Sequence, residues 1–196
     1  MLRVDFLRHG ALKGGVKYRG CLDEAITPEG RMQMDMVWAE VCSQVTKIIS
    51  SPLSRCAIPA QDWANEKGVH CILDNRIKEL SYGDWEGLTA AEIEHQYPNQ
   101  LQAWRDDPTH LTPPNGESMQ HFADRVLSFW HTLIQDHDDE HVLVVAHSGS
   151  IRLLLAYALG APVKTTRHLA MPYACWSRVE VQGGQVWLQF HARQAG

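Results

Sequence analysis

Residues 142–149 read Val-Leu-Val-Val-Ala-His-Ser-Gly, and this stretch decides the fold class that the sequence predicts. Its apolar run is typical of a central strand in a parallel sheet, where helices cover both faces. His147-Ser148-Gly149 follow the strand, and a helix is predicted from Ser150 to about Leu159. In α/β proteins, ligands bind beyond the carboxyl ends of such strands. The stretch therefore predicts both an α/β fold and the place of a site.

A second stretch of this kind lies at the start of the chain. The apolar run from Leu2 to Leu7 predicts a first strand, and Arg8-His9-Gly10 follow it. Arginine offers planar donors for phosphate or carboxylate, histidine can act as a nucleophile near neutral pH, and glycine lets backbone approach a ligand. The two stretches together indicate one site at the strand ends.

Strands and helices alternate along the rest of the chain. Thr27 followed by proline predicts a helix start, and Pro52 is predicted to open a helix that Gly68 ends. Two last strands flanking Gly183-Gly184 predict a hairpin, which would bring an antiparallel strand into a parallel sheet. Without repeats or linkers, the alternation predicts a single domain over residues 1–196.

Composition narrows the classes of function. The net charge of −5 argues against non-specific binding of nucleic acid. No apolar run is long enough to span a membrane, and charged residues interrupt any N-terminal signal. The five cysteines are odd in number and form no Cys-x-x-Cys pair, which indicates reduced thiols. We therefore expect a cytoplasmic protein that binds neither nucleic acid nor membranes. The sequence indicates no oligomeric state.

The segment over residues 76–116 lacks the regular alternation, and we expect it to cover the substrate, as long irregular excursions often do. Tyr82 and Trp85 lie within it. They could stack on a planar base or pack the segment against the core, and packing is favoured. His137 and His141 have a spacing that suits a metal on a helix, but the acidic residues between them favour a solvated helix end. No metal site is predicted.

Five side chains form a set suited to phosphoryl transfer: Arg8, His9, Arg55, Glu79 and His147. One imidazole can attack phosphorus in line, while two guanidinium groups and a second imidazole hold the phosphoryl oxygens. A carboxylic acid can protonate the leaving oxygen. Asp84 and Glu86 lie close to Glu79 and are alternative candidates for this acid.

These motifs resemble those of the histidine phosphatase superfamily, in its phosphoglycerate-mutase-like branch. Arg8-His9-Gly10 resembles the family signature, and Arg55, at the end of Ser-Pro-Leu-Ser-Arg, falls at its second phosphate arginine. Glu79, ahead of Gly-Asp-Trp-Glu-Gly, falls at the proton donor, and His147 falls at the second histidine. Most members carry Glu and Asn where this chain has Ala11 and Gly15.

The resemblance implies a three-layer α/β/α sandwich, with a mostly parallel central sheet and an antiparallel edge strand. It implies hydrolysis of a small phosphate ester through a phosphohistidine, without metal or cofactor. His9 would be the nucleophile, and Glu79 would protonate the leaving group and then activate water. The phosphoryl group would be bound by Arg8, Arg55, His147 and Ser148.

Within the superfamily, three segments resemble those of α-ribazole phosphatases: residues 114–118, 141–162 and 174–177. This likeness implies hydrolysis of α-ribazole 5′-phosphate during cobalamin assembly. Two alternatives stay open at this point. One is a broad sugar-phosphate phosphatase or a mutase, and the other is a non-catalytic protein that binds phosphoesters and regulates a partner.

Overall fold

A computed structural model describes residues 1–136 and 139–196 of the chain. Six strands form one sheet: β1 (Leu2–Arg8), β2 (Lys47–Ser50), β3 (His70–Leu73), β4 (His141–Ala146), β5 (Trp176–Gln182) and β6 (Gln185–Arg193). The α-helices within the described ranges are α1 (Pro28–Val41), α2 (Ser54–Lys67), α3 (Ala90–Gln96), α4 (Gln100–Asp106), α5 (Met119–Asp136) and α6 (Ser148–Ala158). None of these helices is long and apolar enough to cross a membrane.

The sheet has the strand order β3-β2-β4-β1-β5-β6. The four strands from β3 to β1 run parallel, whereas β5 is antiparallel to β1 and β6 is antiparallel to β5. The sequence prediction of a mostly parallel sheet with an antiparallel edge is confirmed, and the C-terminal hairpin supplies that edge.

The central strand β4 explains the three layers. Side chains alternate across its faces, and residues 142–146 are all fully buried. Val142 and Val144 belong to the apolar cluster that includes α5 and α6, whereas Leu143 and Val145 belong to the cluster that includes α1 and α2. Two helices on each face thus bury the strand completely, which confirms the expected sandwich.

Local signals place some of the helix ends. Thr27 accepts a hydrogen bond from the Gly30 amide at 3.0 Å through its hydroxyl, and α1 begins at the next residue. Gly68 ends α2 with a φ of 74°, a left-handed conformation in which glycine is unstrained. The prediction that α2 begins at Pro52 is wrong by two residues, because its first free amides are capped from a distant loop. Asp23 of that loop accepts from the Ser54 amide at 2.9 Å.

The helix after β4 also begins two residues earlier than expected, at Ser148 rather than Ser150. The hydroxyl of Ser150 bonds back to the backbone of His147, at 3.2 Å from both its amide nitrogen and its carbonyl oxygen. This local bond draws Ser148 and Gly149 into the first turn. The amides of that turn consequently face the ends of the strands.

The parallel core sets the position of the site. β2, β4 and β1 are neighbours, with Ser50 opposite Val145 and Arg8 opposite Ala146. The carboxyl ends of these strands lie together at one edge of the sheet. Residues that follow the strands, among them His9 and His147, are therefore neighbours in space.

A buried ionic cluster lies elsewhere in the sheet. Asp5 of β1 is fully buried and accepts hydrogen bonds from Arg178 of β5 at 2.7 and 2.9 Å. His141 Nε2 lies 2.7 Å from the same carboxylate. Burial raises the pKa of Asp5, but the bonds from Arg178 and His141 outweigh it and hold the pKa below its ordinary value. His141 is thus a strand residue with a carboxylate partner, while His137 of the metal-spacing hypothesis lies outside the described residues.

The segment over residues 76–116 has an apolar cluster of its own. Trp85, Ile93 and Leu101 are buried in it, and Tyr82 and Trp104 pack at its border. Trp85 is fully buried, so it packs the segment, as the favoured interpretation expects. Tyr82 packs as well, but it also reaches the cavity described next.

Candidate active site

A cavity of about 960 Å³ opens where β1 and β4 end and α6 begins. Four of the predicted site residues lie in its wall: Arg8, His9, Glu79 and Ser148. Much of the remaining wall comes from the 76–116 segment and from residues 166–168. The floor thus carries the predicted chemistry, and irregular chain segments form the sides.

The other two predicted residues lie one layer deeper. Arg55 is 1% exposed and His147 is fully buried, and neither belongs to the cavity wall. The ring of His147 lies behind that of His9, with 5.3 Å between the two centroids. The structure therefore brings all the predicted groups together, but it seals two of them from the cavity.

The His9 ring is held in one tautomer. Its Nδ1 lies 2.9 Å from the carbonyl oxygen of Gly10, which can only accept, so Nδ1 carries the proton. Burial, together with the charges of Arg8 and Arg55, holds the pKa of His9 well below its ordinary value. His9 is therefore a neutral imidazole at pH 7 whose Nε2 keeps a free electron pair.

His147 is neutral as well. Its Nδ1 accepts a hydrogen bond from Arg55 Nε at 3.3 Å, so Nε2 bears the proton and donates to Ser51 Oγ at 2.8 Å. Burial is the main reason that the pKa of His147 lies well below its ordinary value, and the charge of Arg55 adds to it. Ser51, which the sequence analysis did not single out, fixes the tautomer of this ring.

The loop after β1 holds Arg55 in place. Its terminal nitrogens donate to the carbonyl oxygens of Gly20 and Leu22, both at 2.8 Å. Asp23 of the same loop lies 3.9 Å from Arg55 Nη1 and also caps α2. One loop thus fixes both the start of α2 and the guanidinium group that its first turn carries.

Glu86 fastens that loop from the opposite side. Its two carboxylate oxygens accept from the backbone amides of residues 20–22 at 2.9–3.0 Å, and one also accepts from the Tyr82 amide. Asp84 accepts from the side-chain amide of Asn115 at 3.1 Å. Neither carboxylate lies in the cavity wall, whereas Glu79 does. The geometry therefore favours Glu79 over its two neighbours as the acid that meets a ligand.

The Glu79 carboxylate is seated on the start of α6. It accepts from the Gly149 amide at 3.0 Å, from Ser148 Oγ at 3.2 Å and from the Leu80 amide at 3.2 Å. A Cβ atom on residue 149 would overlap this carboxylate, so the glycine is needed for the close approach. The His-Ser-Gly sequence thus orients an acid that lies about seventy residues earlier in the chain.

Arg125 of α5 clamps the segment that carries Glu79. It donates to the carbonyl oxygens of Arg76 and Lys78 at 2.8 Å and of Glu79 at 2.9 Å. It also forms a two-pronged ion pair with Glu117, at 2.7 and 2.8 Å. Burial raises the pKa of Glu117, but its bonds to Arg125 hold the pKa below the ordinary value. The sequence analysis missed Arg125, because nothing local marks these partners.

Arg8 supplies the remaining positive charge at the floor. Its guanidinium lies 4.0 Å from the centre of the Tyr173 ring and donates to the carbonyl oxygen of Met171. Its Nε is buried and has no hydrogen-bond partner among the described residues. An unpaired buried donor costs about 1–3 kcal/mol. Arg8 thus lines the cavity while one of its donors lacks an acceptor among the described residues.

Comparison with known proteins agrees with this geometry. Residues 4–193 match the histidine phosphatase superfamily (branch 1). The glucosyl-3-phosphoglycerate phosphatase of Mycolicibacterium vanbaalenii is 33% identical to the chain, over 99% of this chain and 87% of that protein. The adenosylcobalamin/alpha-ribazole phosphatase of Escherichia coli is 25% identical, over 93% of this chain and 90% of that protein.

The solved structures agree as well. The native structure of a mycobacterial glucosyl-3-phosphoglycerate phosphatase superposes with a TM-score of 0.86 at 31% identity, covering 98% of this chain and 99% of that chain. The chain belongs to the histidine phosphatase superfamily. It is a phosphoric monoester hydrolase, since its relatives are phosphatases that act on small phosphate esters.

Proposed function

We propose that the chain hydrolyses small phosphate monoesters in two steps, through a phosphohistidine at His9. The observation that carries this proposal is the state of the His9 ring. Its Nδ1 proton is donated to the carbonyl oxygen of Gly10, and its Nε2 is unprotonated. The His9 side chain lies in the wall of the cavity. A lone pair in this position is what an in-line attack on phosphorus requires.

In the first step, His9 Nε2 forms a bond to phosphorus while the bond to the ester oxygen breaks. Glu79, as a carboxylic acid, gives its proton to that oxygen and becomes a carboxylate. In the second step, the carboxylate takes a proton from water, the water oxygen attacks phosphorus, and Nε2 leaves with its electron pair. The products are an alcohol and inorganic phosphate, and no cofactor enters this scheme.

Arg8 and Ser148 are the proposed phosphate ligands on the cavity side. Arg8 has an unpaired buried Nε, and the Ser148 hydroxyl already lies against Glu79. Arg55 and His147 are proposed to bind the phosphoryl oxygens from behind His9. Neither side chain lies in the cavity wall, so this role requires both of them to shift towards the cavity.

For the leaving group, the proposal drawn from the sequence is α-ribazole, released from α-ribazole 5′-phosphate. The similarity of the chain to the adenosylcobalamin/alpha-ribazole phosphatase of E. coli supports this proposal. The aromatic side of the cavity supports it as well, since Tyr18, Tyr82 and Trp104 face the same space and suit a flat base. The segment over residues 76–116 supplies two of these rings, and we propose that it covers the substrate.

A second leaving group is favoured by different observations. The glucosyl-3-phosphoglycerate phosphatases share 33% and 32% identity with the chain over nearly its whole length, more than the α-ribazole phosphatases do. Glucosyl-3-phosphoglycerate combines a phosphate ester with a carboxylate. The cavity wall carries several basic side chains beyond Arg8, among them Lys17, Arg152 and Arg167.

The test is phosphate release in EDTA from five substrates: α-ribazole 5′-phosphate, glucosyl-3-phosphoglycerate, 3-phosphoglycerate, a simple sugar phosphate and an aryl phosphate. A hundredfold preference in kcat/KM, about 2.7 kcal/mol in transition-state binding, identifies the substrate. Equal and slow turnover of all five would leave a phosphatase of broad specificity.

The mechanism is tested separately by trapping the enzyme with ³²P-labelled substrate. We expect an acid-labile phosphoenzyme that water discharges and that His9→Ala abolishes. Discharge by a second phosphate acceptor instead of water would identify a mutase. Turnover without any labelled enzyme would contradict the proposal.

A further inference from the structure

Arg152 occupies a particular place in the cavity wall. It lies on α6, one helical turn after Ser148, and both residues face the cavity. Its Nε donates to the carbonyl oxygen of Leu169 at 2.8 Å, which fixes the direction of the side chain. Within residues 1–136 and 139–196, neither of its terminal nitrogens makes a hydrogen bond. A planar pair of donors is thus held in place and left without an acceptor.

The other arginines at the sides of the cavity differ in this respect. All three side-chain nitrogens of Arg19 donate hydrogen bonds, one to the Glu24 carboxylate and the others to the carbonyl oxygens of Gly15 and Lys13. Arg105 donates twice to the hydroxyl of Tyr18, at 3.0 and 2.6 Å.

Arg167 is bound to Asp106, both through the backbone oxygen at 3.0 Å and through an ion pair at 3.6 Å. These three side chains support the wall itself. Arg152 is free to bind a ligand.

Arg152 is also close to the reacting groups. Ser148 binds the Glu79 carboxylate, and side chains four residues apart on a helix have Cβ atoms about 6 Å apart. The positive charge of Arg152 also acts on Arg8. Burial is the main cause that lowers the pKa of Arg8, and the guanidinium group of Arg152 lowers it further. Glu79 is proposed to protonate the ester oxygen. The part of the leaving group attached to that oxygen therefore lies within reach of Arg152.

We propose that Arg152 binds a carboxylate of the leaving group and makes the enzyme prefer phosphate esters of hydroxy acids over those of neutral alcohols. Guanidinium and carboxylate groups match in a two-pronged geometry, and the half-buried position strengthens the pairing. This inference rests on the proposed phosphatase activity with the second, acidic leaving group rather than α-ribazole, which is a neutral alcohol. It takes the leaving group to bind on the Glu79 side of His9.

The test compares two substrates that differ at one group. 3-Phosphoglycerate carries a carboxylate where glycerol 3-phosphate carries a hydroxymethyl group. We expect the unmodified enzyme to prefer 3-phosphoglycerate by at least tenfold in kcat/KM. Arg152→Gln should lower kcat/KM for 3-phosphoglycerate by thirty- to a hundredfold and change that for glycerol 3-phosphate by less than threefold. Arg152→Lys, which keeps the charge but loses the planar pair, should fall in between.

Arg105→Gln is the matched control, since it removes a guanidinium group from the same wall that is already bound within the protein. It should leave the ratio between the two substrates unchanged. The inference is overturned if the unmodified enzyme shows no preference for 3-phosphoglycerate, or if Arg152→Gln lowers kcat/KM equally for both substrates.

An aryl phosphate separates this failure from failure of the proposed function. If its hydrolysis depends on His9 while the ratio between the two esters is close to one, only the role of Arg152 is wrong. If no ester is hydrolysed through His9, the proposed function is wrong. Normal aryl phosphate turnover by Arg152→Gln also shows that the variant folds.

Discussion

The floor and the sides of the cavity are built in different ways. The floor and the layer behind it carry residues that follow parallel strands, and His9, Ser51 and His147 are fixed there by the register of β1, β2 and β4. The sides consist of loops and short helices whose residues are held by side-chain contacts outside the sheet, such as the two bonds of Arg105 to Tyr18. The rigid sheet can place a nucleophile accurately, while the sides can vary without disturbing it.

This contrast separates chemistry from substrate choice. A change in the floor should lower the turnover of every phosphate ester by a similar factor. A change in the sides should alter the ratio between esters and leave the poorest-fitting one unaffected. The following variants test this separation.

Loss of the nucleophile should have the largest effect. His9→Asn keeps a side chain of similar polarity but removes the Nε2 electron pair, and we expect kcat to fall by at least about 10⁴-fold for every ester. Steady-state phosphate release measures this. The control is His168→Asn, which changes a histidine at the side of the cavity and should lower kcat by less than threefold. A His9→Asn enzyme that kept a hundredth of its activity would show that another group attacks phosphorus.

Loss of the proton donor should come next and should depend on the leaving group. Glu79→Gln is expected to lower kcat for an alkyl phosphate by about 10²–10⁴-fold, the usual contribution of general acid catalysis. An aryl phosphate should lose less than tenfold, because a phenolate leaves without a proton. Asp84→Asn, at a carboxylate of the same segment outside the cavity wall, is the control. Equal losses for both leaving groups would contradict the assignment of Glu79 as the acid.

The clamp on the Glu79 segment should have a smaller effect of the same type. Arg125→Lys cannot serve the three carbonyl oxygens and Glu117 together, so we expect Glu79 to shift and alkyl ester kcat to fall about tenfold. Aryl ester kcat should fall less than threefold, which a general loss of folded enzyme would not produce. Arg76→Lys, at a half-buried arginine of the same segment that pairs with Asp74, should leave both rates unchanged. If Arg125→Lys lowers the two rates in parallel, the clamp has only a structural role.

The floor could be predicted from the sequence because its signals are local. An apolar run followed by Arg-His-Gly or by His-Ser-Gly marks a strand and the residue that ends it. Thr27 and Gly68 mark helix ends for equally local reasons, through a capping hydroxyl and a left-handed φ. The sheet then follows from the alternation of strands and helices, and the site follows from the sheet.

The supports of the site could not be predicted, since their partners lie far apart in the chain. Asp23 caps a helix that begins 31 residues later, and Glu86 binds amides more than 60 residues earlier. Arg125 reaches back 46 residues to Glu79. No periodicity or capping pattern connects such pairs. The sealing of Arg55 and His147 behind His9 is likewise a property of the packed structure, which residue type alone does not indicate.

A change at the side of the cavity should act on one substrate and spare another. Trp104 faces the cavity and packs edge-on against Tyr82, with ring centres 5.7 Å apart. Trp104→Ala should raise KM for α-ribazole 5′-phosphate about three- to tenfold if the base stacks there. The KM for the aryl phosphate should change by less than twofold. Trp104→Phe, which keeps a ring, is the control. A uniform loss for both substrates would show that the wall and the floor are not independent.

The smallest expected change is an absence of titration at the floor. Burial lowers the pKa of His9 and of His147 well below 6.5, so neither ring should titrate as the pH falls through 6.5. Imidazole ¹⁵N signals, assigned by their loss in the His9→Asn and His147→Asn variants, measure this directly. In the unfolded chain both rings take up protons below about pH 6.5, so the folded state should lose stability as the pH falls further. A titration of either ring near pH 6.5 would show that water solvates that ring, and the contrast between a rigid floor and adaptable sides would not hold.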